Sequence, residues 1–173
     1  MNISYPKLIF AGLLCIYFLW IAFDPMQGSF LDNVDLPIHE TGHLLFRPFG
    51  EFMMIAGGSL FQVIFPLVFV GYFIWNEKYY SAAIVGLWVG QSIINVWVYA
   101  SDAIVMQLML TSGVTGSEGG FHDWNYMLTH TGLIGSTKLI AGLIRAAGTL
   151  TIIASGVAAV YYSLHSEAYD IEQ

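Results

Sequence analysis

The sequence predicts an all-α protein, a polytopic membrane bundle of about four transmembrane helices plus one short helix carrying His39-Glu40-Thr41-Gly42-His43. Three observations predict it. Of 173 residues, 57% are hydrophobic and only 10% are charged, against about 25% charged in a soluble domain, so there are too few solvated side chains to cover a water-facing surface. Mean hydropathy is +0.67. The apolar residues also gather into four runs of near bilayer-crossing length, separated by polar turns.

The first run, 8–23, follows Lys7 and ends in Trp20-Ile21-Ala22-Phe23-Asp24-Pro25. Bulky residues stand where a signal-peptide cleavage site needs small ones, so the run reads as a retained anchor. Pro25, Gly28, Asp32, Asn33, Asp35 and Pro37 make 24–37 an aqueous or interfacial loop. A helix is expected over 38–46, before Pro48 and Gly50; it is too short to span and is read as interfacial or re-entrant.

The second span, 52–75, contains Gly57-Gly58 and Pro66, and the glycines suggest local unwinding and close approach of another backbone. After the turn Asn76-Glu77-Lys78, a third span is expected over 81–110. The Gly- and Ser-rich loop 111–120 reads as flexible and leads to Phe121-His122-Asp123-Trp124. The final span, 139–162, is rich in Gly and Ala of the kind that allows close helix packing. The acidic tail 167–173 reads as solvated, and 1–173 as one membrane domain.

Four crossings put both termini and the Asn76 turn on one side, with 24–50 and 111–137 sharing the other. Lys7 and Lys78 on one side balance Arg47 and Lys138 on the other, so only the α-amino group favours cytoplasmic termini. Five Lys and Arg against 12 Asp and Glu give a net charge of −7, which argues against nucleic acid and a polybasic lipid-binding surface. The lone Cys15 excludes an intramolecular disulfide and a CxxC metal site.

The chemistry centres on the HExxH motif. On a helix, His39 and His43 share a face and can bind one Zn²⁺, with Glu40 placed as general base. A catalytic zinc needs one more protein ligand. His122 is favoured, since its loop shares a side with the motif and imidazole suits zinc; Asp102 and Asp123 are the alternatives. Asp123 or Asp102 could instead orient a ligating histidine.

Gln91, Asn95, Tyr99 and Asp102, spaced by four, four and three residues, form one stripe of the third span. That stripe should face the interior, with Gln62 joining it and Asp102 either at the metal or paired with Arg145. Asn95 and His130 are candidate oxyanion donors, His130 and His165 otherwise reading as ordinary interfacial imidazoles and Glu51 as a capping carboxylate.

HETGH beside an apolar span, a later intramembrane Asp and a small multi-span body resemble the site-2 protease class of intramembrane zinc metalloproteases. The resemblance implies ligation by His39 and His43, Glu40 as base, and an Asp on a later transmembrane helix as third ligand. Asp102 matches that Asp by location, but stands in Ser-Asp-Ala rather than the class's Asp-Gly context. The motif also lies in a segment flanked by Pro37 and Pro48 rather than in an unbroken span. The order HExxH, Phe-Gly-Glu-Phe (49–52), Gly-Gly-Ser-Leu (57–60), Ser-Asp-Ala (101–103) and His-Asp-Trp (122–124) is similar to a group of small bacterial multi-span proteins, a likeness that carries no activity with it.

The expected function is a membrane-embedded zinc metallohydrolase of the bacterial inner membrane, acting as a peptidase on a peptide or membrane-protein substrate. The rival expectations are a non-catalytic metal-binding scaffold subunit and a small transporter lined by Gln91, Asn95 and Asp102.

Overall fold

The computed structural model describes residues 3–165, so the acidic tail lies outside the described residues. These form an all-α bundle: α1 (Tyr5–Phe23), α2 (Asp32–Phe46), α3 (Glu51–Trp75), α4 (Tyr79–Ser101), α5 (Asp123–His130) and α6 (Thr137–Leu164). Four of them, α1, α3, α4 and α6, are long and apolar enough to cross a membrane. The chain is an integral membrane protein by this measure.

Contacts at each end fix the up-and-down arrangement. Ser4 N–H donates to the Ser163 carbonyl, and the Tyr80 hydroxyl to the Lys7 carbonyl, gathering the starts of α1 and α4 and the end of α6 at one end. Near the other end, Arg145 donates to the Ala22 and Phe23 carbonyls at 3.3 and 3.2 Å, a cationic cap on orphan carbonyls at the α1 C-terminus. Its guanidinium also lies 4.6 Å from the Trp97 ring centre, so Arg145 is not the partner of Asp102.

Small residues set the helix spacing, as the Gly- and Ala-rich last span suggested. A Cβ on Gly148 would stand 3.0 Å from the Gly90 carbonyl oxygen, so α4 and α6 touch backbone to backbone there. Phe18, Ile21, Leu87, Ile94 and Ile152 fill the core around this crossing.

Three expectations are corrected. The motif helix begins at Asp32 rather than 38, with Pro37 inside it. Proline removes one N–H, and here the carbonyl it deprives belongs to Asn33, an exposed residue in the helix's first turn. Asp32 accepts from the Ser29 amide and hydroxyl, which folds the preceding turn onto the helix start.

The third span ends at Ser101, not 110. Asp102 takes the amides of Gln107 and Leu108 at 3.0 and 2.9 Å, so its carboxylate offers the backbone an alternative to further helix. Lastly, α3 runs unbroken from Glu51 to Trp75, and Gly57-Gly58 does not unwind it. The close approach expected there does occur: a Cβ on Gly42 would fall 2.2 Å from the Gly57 carbonyl oxygen.

Helix α2 packs along the first half of α3 and reaches α4 with its N-terminal turns. Buried Asp35 accepts from Trp88 Nε1 at 3.0 Å and Ser92 Oγ at 3.3 Å, well inside the span. From there α2 leads outward to His43, beside Met54 near the start of α3.

Candidate metal centre

Helix α2 presents the two motif histidines, and α5 presents a carboxylate to them. Asp123 Oδ2 lies 3.2 Å from His39 Nε2 and 3.3 Å from His43 Nε2. One ligand atom from each of the three residues fits within a 4.8 Å group. Bonds of about 2.0–2.1 Å to a tetrahedral zinc imply ligand separations of about 3.3–3.4 Å, so the two histidine–carboxylate edges already have the right length.

The outer nitrogen of each ring is tied down. His43 Nδ1 lies 2.9 Å from the Met54 carbonyl oxygen, an acceptor only, so Nδ1 carries the proton. His39 Nδ1 lies 3.0 Å from Gln62 Oε1. Both Nε2 atoms therefore face Asp123, in the arrangement by which metal-bound histidines are oriented through their other ring N–H.

With the rings neutral, two nitrogen lone pairs and a carboxylate would converge with no donor among them. A cation or added protons must resolve that. In the metal-free protein, His43 takes the proton: its hydrogen bond to Asp123 raises it to about 9, against the opposing effect of burial. Burial pushes Asp123 up, but hydrogen bonds from His39 and His43 outweigh it, holding the carboxyl below its ordinary range. The residues present thus fit a divalent cation.

Gly58 makes room for the pair. A Cβ there would stand 2.5 Å from His39 Nε2 and 2.7 Å from His43 Cε1. The Gly-Gly-Ser sequence of α3 serves this approach: Gly57 admits α2, Gly58 admits the rings, and Ser59 accepts from Trp124 Nε1 at 3.1 Å.

His122, the favoured third ligand, lies outside the cluster. Its ring caps α5, with Nδ1 accepting from the Asn125 amide at 3.2 Å, and its Nε2 points toward Asp102 Oδ2 at 3.5 Å. Burial lowers its pKa, consistent with a neutral ring. Asp102 is likewise apart from the His39–His43 pair, since it closes the turn after α4. The structure brings together His39, His43 and Asp123, the alternative that shares the His122 loop.

The machinery that aims Asp123 was only partly visible in the sequence. Tyr99 hydroxyl accepts from the Asp123 amide at 3.1 Å, Trp124 reaches Ser59, and Asn125 Nδ2 donates to the Ala103 carbonyl at 2.8 Å. Asn95 and Gln91 do share a face, and their amides donate to Asp32 at 3.0 and 2.9 Å, with Asn95 also on the wall of the adjoining cavity. His130 stacks on Tyr126 at the exposed end of α5, away from the cluster. His165 binds the Tyr161 carbonyl, the ordinary role expected of it.

A cavity of about 590 Å³ adjoins the cluster, with Glu40, Tyr99 and Asp123 on its wall and Leu36, Leu108 and Phe121 among its apolar lining. Glu40 is exposed to this space. Two imidazoles, a carboxylate, a second free carboxylate and an open volume can together hold a metal and move a proton beside it. Comparison with known protein families, curated proteins and solved structures returns no match for this chain.

Proposed function

We propose that this chain is a membrane-embedded zinc metallohydrolase, acting as a peptidase, with His39, His43 and Asp123 as ligands and Glu40 as general base. The observation that carries it is the convergence of three ligand atoms within 4.8 Å of one another, with both outer histidine nitrogens anchored, at the wall of an open cavity. Two histidines of an HExxH motif and an Asp match the donor types implied by the resemblance to site-2 proteases, although this Asp starts the short α5 and not a later transmembrane helix.

When bound, zinc supplies Lewis acidity that lowers the pKa of water towards 7 and polarises a scissile carbonyl. Glu40, one residue beyond His39 and facing the cavity, takes the proton of the attacking water and delivers it to the leaving amine. Tyr99 uses its oxygen to hold the Asp123 amide and keeps its own proton to donate towards a developing oxyanion. Apolar side chains around Glu40 hold the substrate and exclude water.

The same proposal puts the protein in a bacterial inner membrane with cytoplasmic termini, so that the cavity opens near the opposite face. Reporter fusions at the Asn76 turn test that orientation.

The deciding experiment uses the chain in detergent or nanodiscs, with zinc content measured by mass spectrometry and hydrolysis followed on a fluorogenic library of apolar peptides. Wild type is expected to hold about one zinc and to cleave; Glu40→Gln is expected to keep the zinc and lose at least ~100-fold in rate. Zinc bound with rates unaffected by Glu40→Gln overturns the catalytic assignment in favour of the scaffold. Zinc retained after both His39→Ala and His43→Ala overturns the site.

A further inference from the structure

Three amide and carboxylate side chains from three helices connect His39 to a residue with no contact to the candidate metal position. Gln62 Oε1 on α3 faces His39 Nδ1 at 3.0 Å; Gln62 Nε2 donates to Asn95 Oδ1 on α4 at 2.7 Å; Asn95 Nδ2 donates to Asp32 Oδ1 on α2 at 3.0 Å. Gln62 is 2% exposed.

The direction of this chain is set at its Asp32 end, against the pull of Asp123, an acceptor 3.2 Å from His39 Nε2. An amide can be turned end for end, and either orientation of Gln62 finds some partner on a histidine, whose ring nitrogens can donate or accept. An ionised carboxylate can only accept. Asp32 therefore fixes Asn95 with its NH₂ inward, which leaves Asn95 Oδ1 for Gln62 and forces Gln62 Oε1 onto His39. That orientation favours the proton on His39 Nδ1, which leaves the Nε2 lone pair for a cation at the cluster.

Asp32 is itself held by the Gln91 amide at 2.9 Å and by the Ser29 amide and hydroxyl, so its orientation does not depend on the chain it directs.

We propose that Asp32 is a positioning residue of the metal centre, setting the tautomer of His39 through Asn95 and Gln62. The metal-affinity part of this rests on the zinc reading above; the tautomer part does not. Metal ligation by His39 Nε2 requires the ring that Asp32 selects, and loss of such outer partners typically weakens binding 10–100-fold.

The test measures zinc affinity by chelator competition for wild type, Asp32→Ala and the isosteric Asp32→Asn, each in nanodiscs. Asp32→Ala is expected to weaken binding towards ~100-fold and Asp32→Asn by about 10-fold. The double variant Asp32→Ala/Asn95→Asp moves the carboxylate one link nearer, where it still accepts from Gln62, and is expected to recover affinity to within several-fold of wild type. Asp32→Asn supplies the comparison if Asp32→Ala does not fold, with Asn95→Asp added to it in the same way.

A second readout needs no metal. Nitrogen-15 spectra of histidine-labelled, metal-free protein at about pH 10, where imidazoles are neutral, should show a larger share of the Nδ1–H tautomer of His39 in wild type than in Asp32→Ala, where Asp123 alone directs the ring toward Nε2–H. Affinity unchanged in both single variants, or a loss that Asn95→Asp does not recover, overturns the proposal. If wild type binds no zinc, the zinc reading fails and the nitrogen spectra alone decide the role of Asp32, an unchanged tautomer refuting it.

Discussion

Gly58→Ala adds one methyl group at the most constrained point of the candidate centre. The added carbon would lie 2.5 Å from His39 Nε2, 2.7 Å from His39 Cδ2 and 2.7 Å from His43 Cε1, where ordinary contact begins near 3.4 Å. The rings would have to retreat by roughly 0.7–0.9 Å, beyond the ~0.5 Å within which a functional site tolerates displacement.

Neither ring can swing away freely, because Gln62 holds one and the Met54 carbonyl the other. Alanine improves on glycine by about 1 kcal/mol inside a helix, while overpacking costs about 1–3 kcal/mol, so the metal-free protein should lose no more than about 2 kcal/mol. Zinc binding should suffer more, by about 100-fold, the upper end of what loss of an outer partner costs.

Gly71→Ala on the same helix is the control, since nothing lies within 4 Å of a Cβ there. Thermal unfolding with and without zinc, with affinity from chelator competition, separates the two effects. Gly58→Ala with wild-type zinc affinity would refute the placement of the rings, because no arrangement with both Nε2 atoms at Asp123 and the backbone of α3 in its present position has room for the methyl.

Asp123→Ala should abolish stoichiometric zinc, whereas His122→Ala should leave a measurable site of lower affinity, because His122 caps α5 and only indirectly aims Asp123; zinc analysis of the two variants checks the order. Metal binding should be proton-coupled. His43 in the metal-free protein is raised to about 9 from 6.5, so its ion pair with Asp123 stabilises that form fully below its unfolded pKa and is lost as pH rises through about 9. Zinc must displace that proton, so affinity should rise about tenfold per pH unit from pH 7 and level off above about 9, with calorimetry in buffers of different ionisation enthalpy counting the proton. Gly42→Ala should dislodge α2 from α3, at a cost above the usual ~1–3 kcal/mol of overpacking, because the methyl meets the Gly57 carbonyl, a backbone atom that cannot rotate away; thermal unfolding reads it.

The apolar runs made the four long helices legible, since length and hydropathy are all that a crossing requires. The motif histidines were legible because spacing alone puts them on one face. Asp32 and Asp35 were read as loop carboxylates because Pro37 was taken as a helix boundary. Yet Asp32, Asp35, His39 and His43 sit at intervals of three, four and four, one continuous helical stripe, and a proline near a helix start is tolerated when the carbonyl it deprives is exposed. That periodicity was the available signal, and the local breaker rule overrode it.

The third ligand was a harder case. His122 and Asp123 are adjacent, so no spacing argument separates them, and zinc accepts either side chain. What separates them is the start of α5. Asp is the stronger N-cap residue in general, which would assign Asp123 to the cap and leave His122 for the metal; in the fold the roles are exchanged, His122 capping through Nδ1 and Asp123 turning to the histidine pair. The exchange follows from tertiary contacts at Tyr99, Ser59 and Ala103, none near α5 in sequence.

The scarcity of charge bears on what the cavity can accept. Asp32, Glu40 and Asp123 line it, and no Lys or Arg is among its lining residues. Three carboxylates gathered around two histidines, in a chain of net charge −7, lower the energy of a divalent cation and raise that of any anion brought beside it. A bound zinc would offset two of those charges and His43 would then be neutral, so the loaded site still favours a neutral or cationic segment over an acidic one. With Leu36, Leu108 and Phe121 supplying apolar contact, the proposed peptidase reading calls for a substrate that is uncharged and hydrophobic at this site rather than an anionic one.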